Sequence, residues 1–332
     1  MYNVYNEKFG RITLKISVLD RASLGMDTPL EALSELGEVE IFDATAPDEM
    51  RERCAESDVI VINKIKVTRE VMTAAKHLKL VCVFATGYDN IDITAARELG
   101  IAVCNVPGYS TDSVALFTLA TTLALYSHLG EYSDYVRSGE YTDSGIPNRL
   151  VPVYHELKGK TWGILGYGNI GRAVGKVALA MGANVIAYKR TPSDEVRCVD
   201  IETLCRESDI ITIHCPLNDG TREIINKERI ALMKPDVVIV NEARGAVVCE
   251  ADIAKAIETG RIGAFGCDVY SREPFEKEHP YFRIKDRKNV LLTPHAAWGA
   301  YEARARCISI ISDNIRSFLA GKSLNRVDKA GQ

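Results

Sequence analysis

The chain contains no C-x-x-C pair, no run of Lys and Arg, and no unbroken apolar stretch of membrane-spanning length. Each absence removes a class of function. Nine cysteines is an odd number, and most lie inside apolar runs such as Leu80-Val81-Cys82-Val83-Phe84. They read as small buried hydrophobes in a reducing compartment rather than as disulfides or zinc ligands. No His/Cys/Asp cluster has zinc spacing, so no metal is expected. A formal charge of −4 without a basic patch argues against a nucleic-acid partner. The longest apolar stretch, Val114 to Leu129, is interrupted by Thr118, Thr121, Thr122, Ser127 and His128. It falls short of the ~20 apolar residues that a bilayer requires, so it reads as a buried helix and no membrane partner is expected. Met1 to Lys15 carries charges and no apolar core segment, so no signal peptide is expected and the location is read as cytoplasmic.

What is present points to two α/β units. With 332 residues, 46% hydrophobic and 26% charged, the chain is an ordinary globular composition too long for one core. Apolar strands are expected at Leu14–Leu19, Val39–Phe42, Val59–Ile62, Lys79–Phe84 and Ile101–Cys104, with helices such as Val67–Lys76 and Ile93–Leu99 between them. After a buried helix near Asp112–His128 comes a polar stretch, Glu131–Pro152. Six more strands are then expected, at Thr161–Leu165, Asn184–Tyr188, Ile210–Ile213, Val237–Val240, Ala264–Cys267 and Val290–Leu292. Strands alternating with helices imply parallel sheets with right-handed crossovers, so each unit is doubly wound. A last helix, Tyr301–Leu319, places Ile308, Ile311, Ile315, Phe318 and Leu319 on one stripe and stops at Gly321. The second unit thus reads as an insertion: residues 1–111 and 302–332 form one domain, and 112–301 the other. Small ligands are expected in the cleft that such a division creates.

Gly166-Tyr167-Gly168-Asn169-Ile170-Gly171 follows the apolar strand Trp162-Gly163-Ile164-Leu165 and opens a helix expected over Arg172–Met181. The first glycine makes the tight turn, the second lets backbone approach a pyrophosphate, and the third lets helix and strand pack closely. The helix N-terminus offers N–H groups and a positive dipole end to the phosphates. Dinucleotide units selective for NAD carry an acid about 20 residues further on, at the end of the second strand. Here that position holds Lys189-Arg190-Thr191. Cations there attract a 2′-phosphate, so NADP is preferred over NAD.

Three further residues each follow a strand of this unit. Arg244 lies in Asn241-Glu242-Ala243-Arg244-Gly245, Glu273 in Tyr270-Ser271-Arg272-Glu273-Pro274, and His295 in Thr293-Pro294-His295-Ala296-Ala297-Trp298. Taken singly, each has an ordinary explanation: a surface ion pair, a solvated loop acid, a structural histidine. Together they suit ketone reduction. A guanidinium fork holds a substrate carboxylate, an imidazole protonates the carbonyl oxygen, and a carboxylate favours and orients the charged ring. His214, followed by Cys215-Pro216, is the other histidine after a strand and reads as a wall beside the cofactor.

With these motifs in order, the chain resembles the D-isomer-specific 2-hydroxyacid dehydrogenases over roughly Val59 to Asn325. The resemblance implies a flavodoxin-like substrate domain with an inserted Rossmann cofactor domain, and Arg244, Glu273 and His295 as the catalytic set. It places Asp268 near the nicotinamide carboxamide. It implies further cofactor contacts at Val114, Asn169, Ile170, Cys215, Pro216 and Thr221, at Glu242, Ala243 and Arg244, and at His295 and Ala297. Ala85-Thr86-Gly87 looks like the loop whose N–H groups take a substrate carboxylate. Asn63-Lys64, and Trp298 followed by Glu302 and Arg304, resemble the hydroxypyruvate reductase (D-glycerate dehydrogenase) branch. The resemblance therefore implies reduction of hydroxypyruvate or glyoxylate to D-glycerate or glycolate by a homodimer. The alternatives are reduction of another 2-keto acid (D-lactate, branched or phosphoerythronate type) or a nucleotide-sensing corepressor-like binding protein. Two departures stand out: Lys189 where the family commonly has Asp, and Leu116 where a polar residue is common.

Overall fold

The computed structural model describes residues 13–329. It divides into two compact units, Met1–Ser110 with Gly299–Gln332, and Thr111–Trp298. In the first unit five parallel strands, β1 (Lys15–Val18), β2 (Glu38–Ile41), β3 (Val59–Ile62), β4 (Leu80–Val83) and β5 (Ala102–Cys104), are ordered β2-β1-β3-β4-β5. That order is the flavodoxin-like one, with its reversal point between β1 and β3. β3 and β4 are Val-Ile-Val-Ile and Leu-Val-Cys-Val with every residue buried, because helices cover both faces of a parallel sheet. The edge strand β2 instead carries Glu38 and Glu40, charges that discourage pairing with another chain. The Tyr301–Leu319 helix packs into this unit, burying Ile308, Ile311, Ile315 and Leu319. Phe318, expected on the same stripe, is half-buried, with Arg326 over its ring. Gly321 ends the helix at φ +75°.

The second unit holds seven parallel strands: β6 (Thr161–Leu165), β7 (Asn184–Tyr188), β8 (Arg197–Cys198), β9 (Ile210–Ile213), β10 (Val238–Asn241), β11 (Ala264–Cys267) and β12 (Val290–Leu292). Their order is β12-β11-β10-β9-β6-β7-β8, so the winding reverses between β6 and β9. Six of these strands match the sequence expectation. The seventh, β8, is a two-residue edge strand too short to produce an apolar pattern. A second correction concerns 131–152. The polar stretch belongs in part to two helices, Leu129–Arg137 and Glu140–Ser144. A third concerns the glycine turn, whose helix begins at Asn169 rather than Arg172 and ends at Ala180.

The Thr111–Tyr126 helix explains how a threonine-rich segment can be buried. Val114, Ala115, Thr118, Thr121, Thr122 and Leu125 face inward. The Thr118 and Thr122 hydroxyls donate to the carbonyls of Val114 and Thr118 at 2.8 and 2.7 Å, so no hydroxyl need seek a partner across the core. The helix comes so close to β11 that a Cβ on Gly266 would lie 2.4 Å from the Thr121 methyl. Leu116 points away from this contact and is exposed. Among the described residues no single helix is long and apolar enough to cross a membrane. All nine cysteines are free thiols, seven of them buried.

Candidate functional site

Open α/β sheets bind ligands at the carboxyl ends of strands where the winding reverses. In the second unit that point lies between β6 and β9, and the glycine turn follows β6 directly. Gly166 has φ +99°, and a Cβ there would meet the Cys215 nitrogen at 2.5 Å and the His214 carbonyl carbon at 2.7 Å. The third glycine is as constrained: a Cβ on Gly171 would sit 2.3 Å from the Gly166 oxygen. Gly168 differs, since nothing of the protein lies within 4 Å of its Cβ position. That open cradle lies at the N-cap of the Asn169–Ala180 helix, and no side chain caps the helix start. The N–H groups of the first turn are thus left for an anion. These features fit a dinucleotide pyrophosphate.

Other residues expected near the cofactor surround this turn in varied states. Ile170 is half-buried beside it, and the Asn169 side chain accepts from Arg172 at 2.9 Å. Lys189 follows β7 and is half-buried, while Arg190 and Thr191 are exposed. Cys215 is buried and its thiol is pushed up to about 11 by that burial. Thr221 donates to the Pro216 carbonyl at 2.6 Å, so its hydroxyl closes the 216–221 loop. Both ring nitrogens of His214 are buried with no hydrogen-bond partner, and desolvation pulls its pKa down to about 3. The ring is therefore neutral, which agrees with a wall and not with a proton donor.

At the ends of β10, β11 and β12 the expected trio is partly assembled. Glu273 Oε2 lies 2.6 Å from His295 Nδ1. A carboxylate has no proton to give, so Nδ1 is the donor of this bond and Nε2 is left as the other ring nitrogen. His295 sits in the left-handed region at φ +53°. Its N–H donates to the Asp268 carbonyl at 2.8 Å. The Asp268 carboxylate accepts from Thr293 Oγ1 at 2.6 Å and from the N–H groups of Ala296 and Ala297 at 2.8 Å each. Ala297 in turn accepts from Ser113 Oγ at 2.6 Å, which ties the turn to the start of the long helix beside Val114. Arg244 Nη1 donates to the Ala243 carbonyl at 2.8 Å. Gly245 fixes the next position, because a Cβ there would lie 2.0 Å from the Tyr270 carbonyl carbon. Tyr270 is a residue that sequence reasoning passed over. Its N–H donates to Glu273 Oε1 at 3.1 Å and its hydroxyl to the Thr293 carbonyl at 2.7 Å, joining the two segments that carry the pair.

In the first unit the candidate residues also stand at a reversal point. Asn63 and Lys64 follow β3, and their N–H groups donate to the carboxylate of Asp20, two residues past β1, at 3.0 and 2.7 Å. The Asn63 side chain turns to Ser23, 3.2 Å away, and Asn90 donates to the Asn63 and Ile65 carbonyls. Asp20 was not singled out from the sequence. The neighbouring loop Ala85-Thr86-Gly87 follows β4, its Thr86 hydroxyl bonded to the Val106 carbonyl at 2.8 Å. Asn105 supports it with a 2.7 Å bond to the Thr86 carbonyl.

Comparison with known proteins adds three findings. Residues 119–297 match the family model for the D-isomer specific 2-hydroxyacid dehydrogenase, NAD binding domain. The chain is 38% identical to a hydroxypyruvate reductase of Blautia hydrogenotrophica over 95% of its length and 100% of that protein's. It is 34% identical to a glycerate dehydrogenase of Methylorubrum extorquens, covering 96% and 100% respectively. Among solved structures, the acyclic imino acid reductase Bsp5 in complex with NADPH and D-Arg superposes with a TM-score of 0.82 at 30% identity. That match covers 95% of this chain and 100% of that one.

Glu242 stands apart from the rest of the site. It is buried beyond the end of β10, its carboxylate oxygens make no hydrogen bond of good geometry and have only a weaker approach from the Thr121 hydroxyl, and burial pushes its pKa up to about 9. Asp268 adds to the rise, and the Thr121 hydroxyl opposes it more weakly. The folded protein therefore keeps a proton that the unfolded chain releases above its ordinary value of 4.5. Stability falls as pH climbs through that window, by roughly 1.4 kcal/mol per unit, and levels off above the raised value. Glu242→Gln is expected to remove this slope. Urea unfolding at pH 6 and pH 9 checks it: the advantage of the variant should grow with pH, and parallel curves would refute the buried acid.

Proposed function

The chain belongs to the D-isomer-specific 2-hydroxyacid dehydrogenase family, and from that premise we propose that it reduces hydroxypyruvate to D-glycerate, with glyoxylate as a second substrate. The family is one of oxidoreductases acting on CH–OH groups with a nicotinamide dinucleotide. The 2.6 Å Glu273–His295 pair carries the reading. The names of the Blautia and Methylorubrum relatives support the choice of substrate. In this reading Arg244 takes the substrate carboxylate in its planar fork and so orients the 2-keto group. Bound reduced nicotinamide supplies hydride to C2. The carbonyl oxygen gains charge as its π bond breaks, and it takes a proton from His295 Nε2. Glu273, across the ring on Nδ1, stabilises the charged imidazole and holds its plane. In the reverse direction the same nitrogen accepts the hydroxyl proton. His295→Ala should lower kcat for hydroxypyruvate reduction by about 10²–10⁴-fold. Undiminished turnover would remove His295 from the role.

For the dinucleotide, the reading is NADP. Support comes from Lys189 and Arg190 at the end of β7, where no acid is present to repel a 2′-phosphate. The NADPH held by the imino acid reductase is consistent with such a choice on this scaffold. The double variant Lys189→Asp, Arg190→Ala should move the ratio of kcat/KM values at least tenfold toward NAD. A ratio that stays put would mean that these side chains do not read the 2′-position.

The protein is also read as a cytoplasmic homodimer. Leu129, Val136, Ile146, Leu150, Val151, Val153 and Tyr154 are all exposed on the second unit. Their segment is ordered by its own contacts, with Arg149 stacked 4.0 Å above the Tyr135 ring and the Tyr132 and Tyr154 rings 6.1 Å apart. An exposed apolar segment of this kind suits burial against a second copy. Leu150→Asp with Val153→Asp should convert a dimer to a monomer in sedimentation velocity. A wild-type monomer, or a variant that stays dimeric, would contradict it.

A further inference from the structure

The loop that carries Glu273 is closed by a second carboxylate–imidazole pair outside the reacting set. Glu250 opens the Glu250–Glu258 helix, and its side chain is only 11% exposed; that of His279 is 8% exposed. Glu250 Oε1 accepts the Ser271 N–H at 2.8 Å, and Oε2 accepts the Ser271 hydroxyl in a short bond. The same Oε2 lies 2.9 Å from His279 Nε2. His279 Nδ1 accepts the Tyr281 N–H at 3.2 Å, so the proton of the neutral ring is on Nε2 and is donated to Glu250. One carboxylate thus holds both ends of the segment from Ser271 to His279. Glu273 lies within that segment.

The surroundings make this a matter of position as well as closure. Tyr270, Phe275, His279 and Tyr281 form a ring cluster with centroids 4.7 to 6.2 Å apart, which packs the inside of the loop. Gly245 presses on the outside, since a Cβ there would lie 2.2 Å from the very Ser271 nitrogen that Glu250 holds. The backbone next to Arg244 and the loop of Glu273 therefore meet at the residue that Glu250 anchors. A largely buried carboxylate bonded to a neutral imidazole is a weak source of stability compared with apolar packing of the same volume. Its value lies in fixing geometry, and errors near 1 Å in a catalytic arrangement cost up to about 10²-fold in rate.

We propose that Glu250 and His279 are positioning residues, which act through Ser271 to hold Glu273 against His295 Nδ1. This inference rests on the assignment of the Glu273–His295 pair to proton transfer. The test uses the 332-residue chain with two readouts, kcat for hydroxypyruvate and the hydrogen-bonded imidazole Nδ1 proton of His295 by NMR, identified by its loss in Glu273→Ala. Glu250→Ala should lower kcat about 10–100-fold, shift or broaden the His295 proton signal, and leave dinucleotide affinity unchanged. Glu250→Gln, which can still accept from the Ser271 N–H, should recover part of both. If Glu250→Ala does not fold, Ser271→Ala, which deletes only the hydroxyl bond, should move both readouts the same way by a smaller amount. A folded variant in which either readout stays at wild type overturns the inference. A wild-type protein with no reductase activity or no such His295 signal would instead fault the underlying assignment.

Discussion

The arrangement in the second unit depends first on Asp268. It stands one residue past β11, almost wholly buried, and its carboxylate accepts three hydrogen bonds from the segment that follows β12. Its own carbonyl takes a fourth, from the His295 N–H. A buried carboxylate without donors is costly, so this segment is folded onto Asp268 by the requirement to satisfy it. The outcome is that His295, in a backbone region that non-glycine residues rarely occupy, presents its ring toward Glu273. The resemblance assigned Asp268 to the cofactor carboxamide; the hydrogen bonds show that it also builds the turn carrying the imidazole.

Around this point the low-dielectric interior treats each ionisable group according to its partners. Asp268 is surrounded by donors. Glu242 has no well-formed bond and keeps its proton, and His214, enclosed without a partner, stays uncharged. The Glu273–His295 pair, less than one-third exposed on both sides, combines a partner with access to solvent. Burial without a partner thus separates the structural acid and imidazole from the pair suited to proton exchange.

Much of this was legible in the residues. The strands of both sheets were visible because parallel strands covered on both faces are short continuous apolar runs. The glycine turn was visible because its spacing has a steric cause, now seen in the approach of Gly166 to Cys215 and of Gly171 to Gly166. Glu273 and His295, singled out for their places after strands, stand 2.6 Å apart. The rest depended on information that no local pattern carries. β8 is two residues long. The helices at 129–137 and 140–144 leave their apolar side chains exposed, so no inward-facing stripe marks them. Tyr270, Glu250 and His279 looked like ordinary loop and helix residues, because their partners are brought to them only by tertiary folding. Glu242 was expected only as a cofactor contact, since nothing in its sequence context says that its side chain is enclosed.

The central claim is that Glu273 keeps the proton of His295 on Nδ1, so that Nε2 is the nitrogen exchanging with substrate. Nitrogen-15 NMR of the His295 ring, followed across pH, tests this without reference to turnover. The account predicts an Nδ1 that stays protonated in both charge states of the ring and an Nε2 that titrates. A neutral ring with its proton on Nε2 would contradict it.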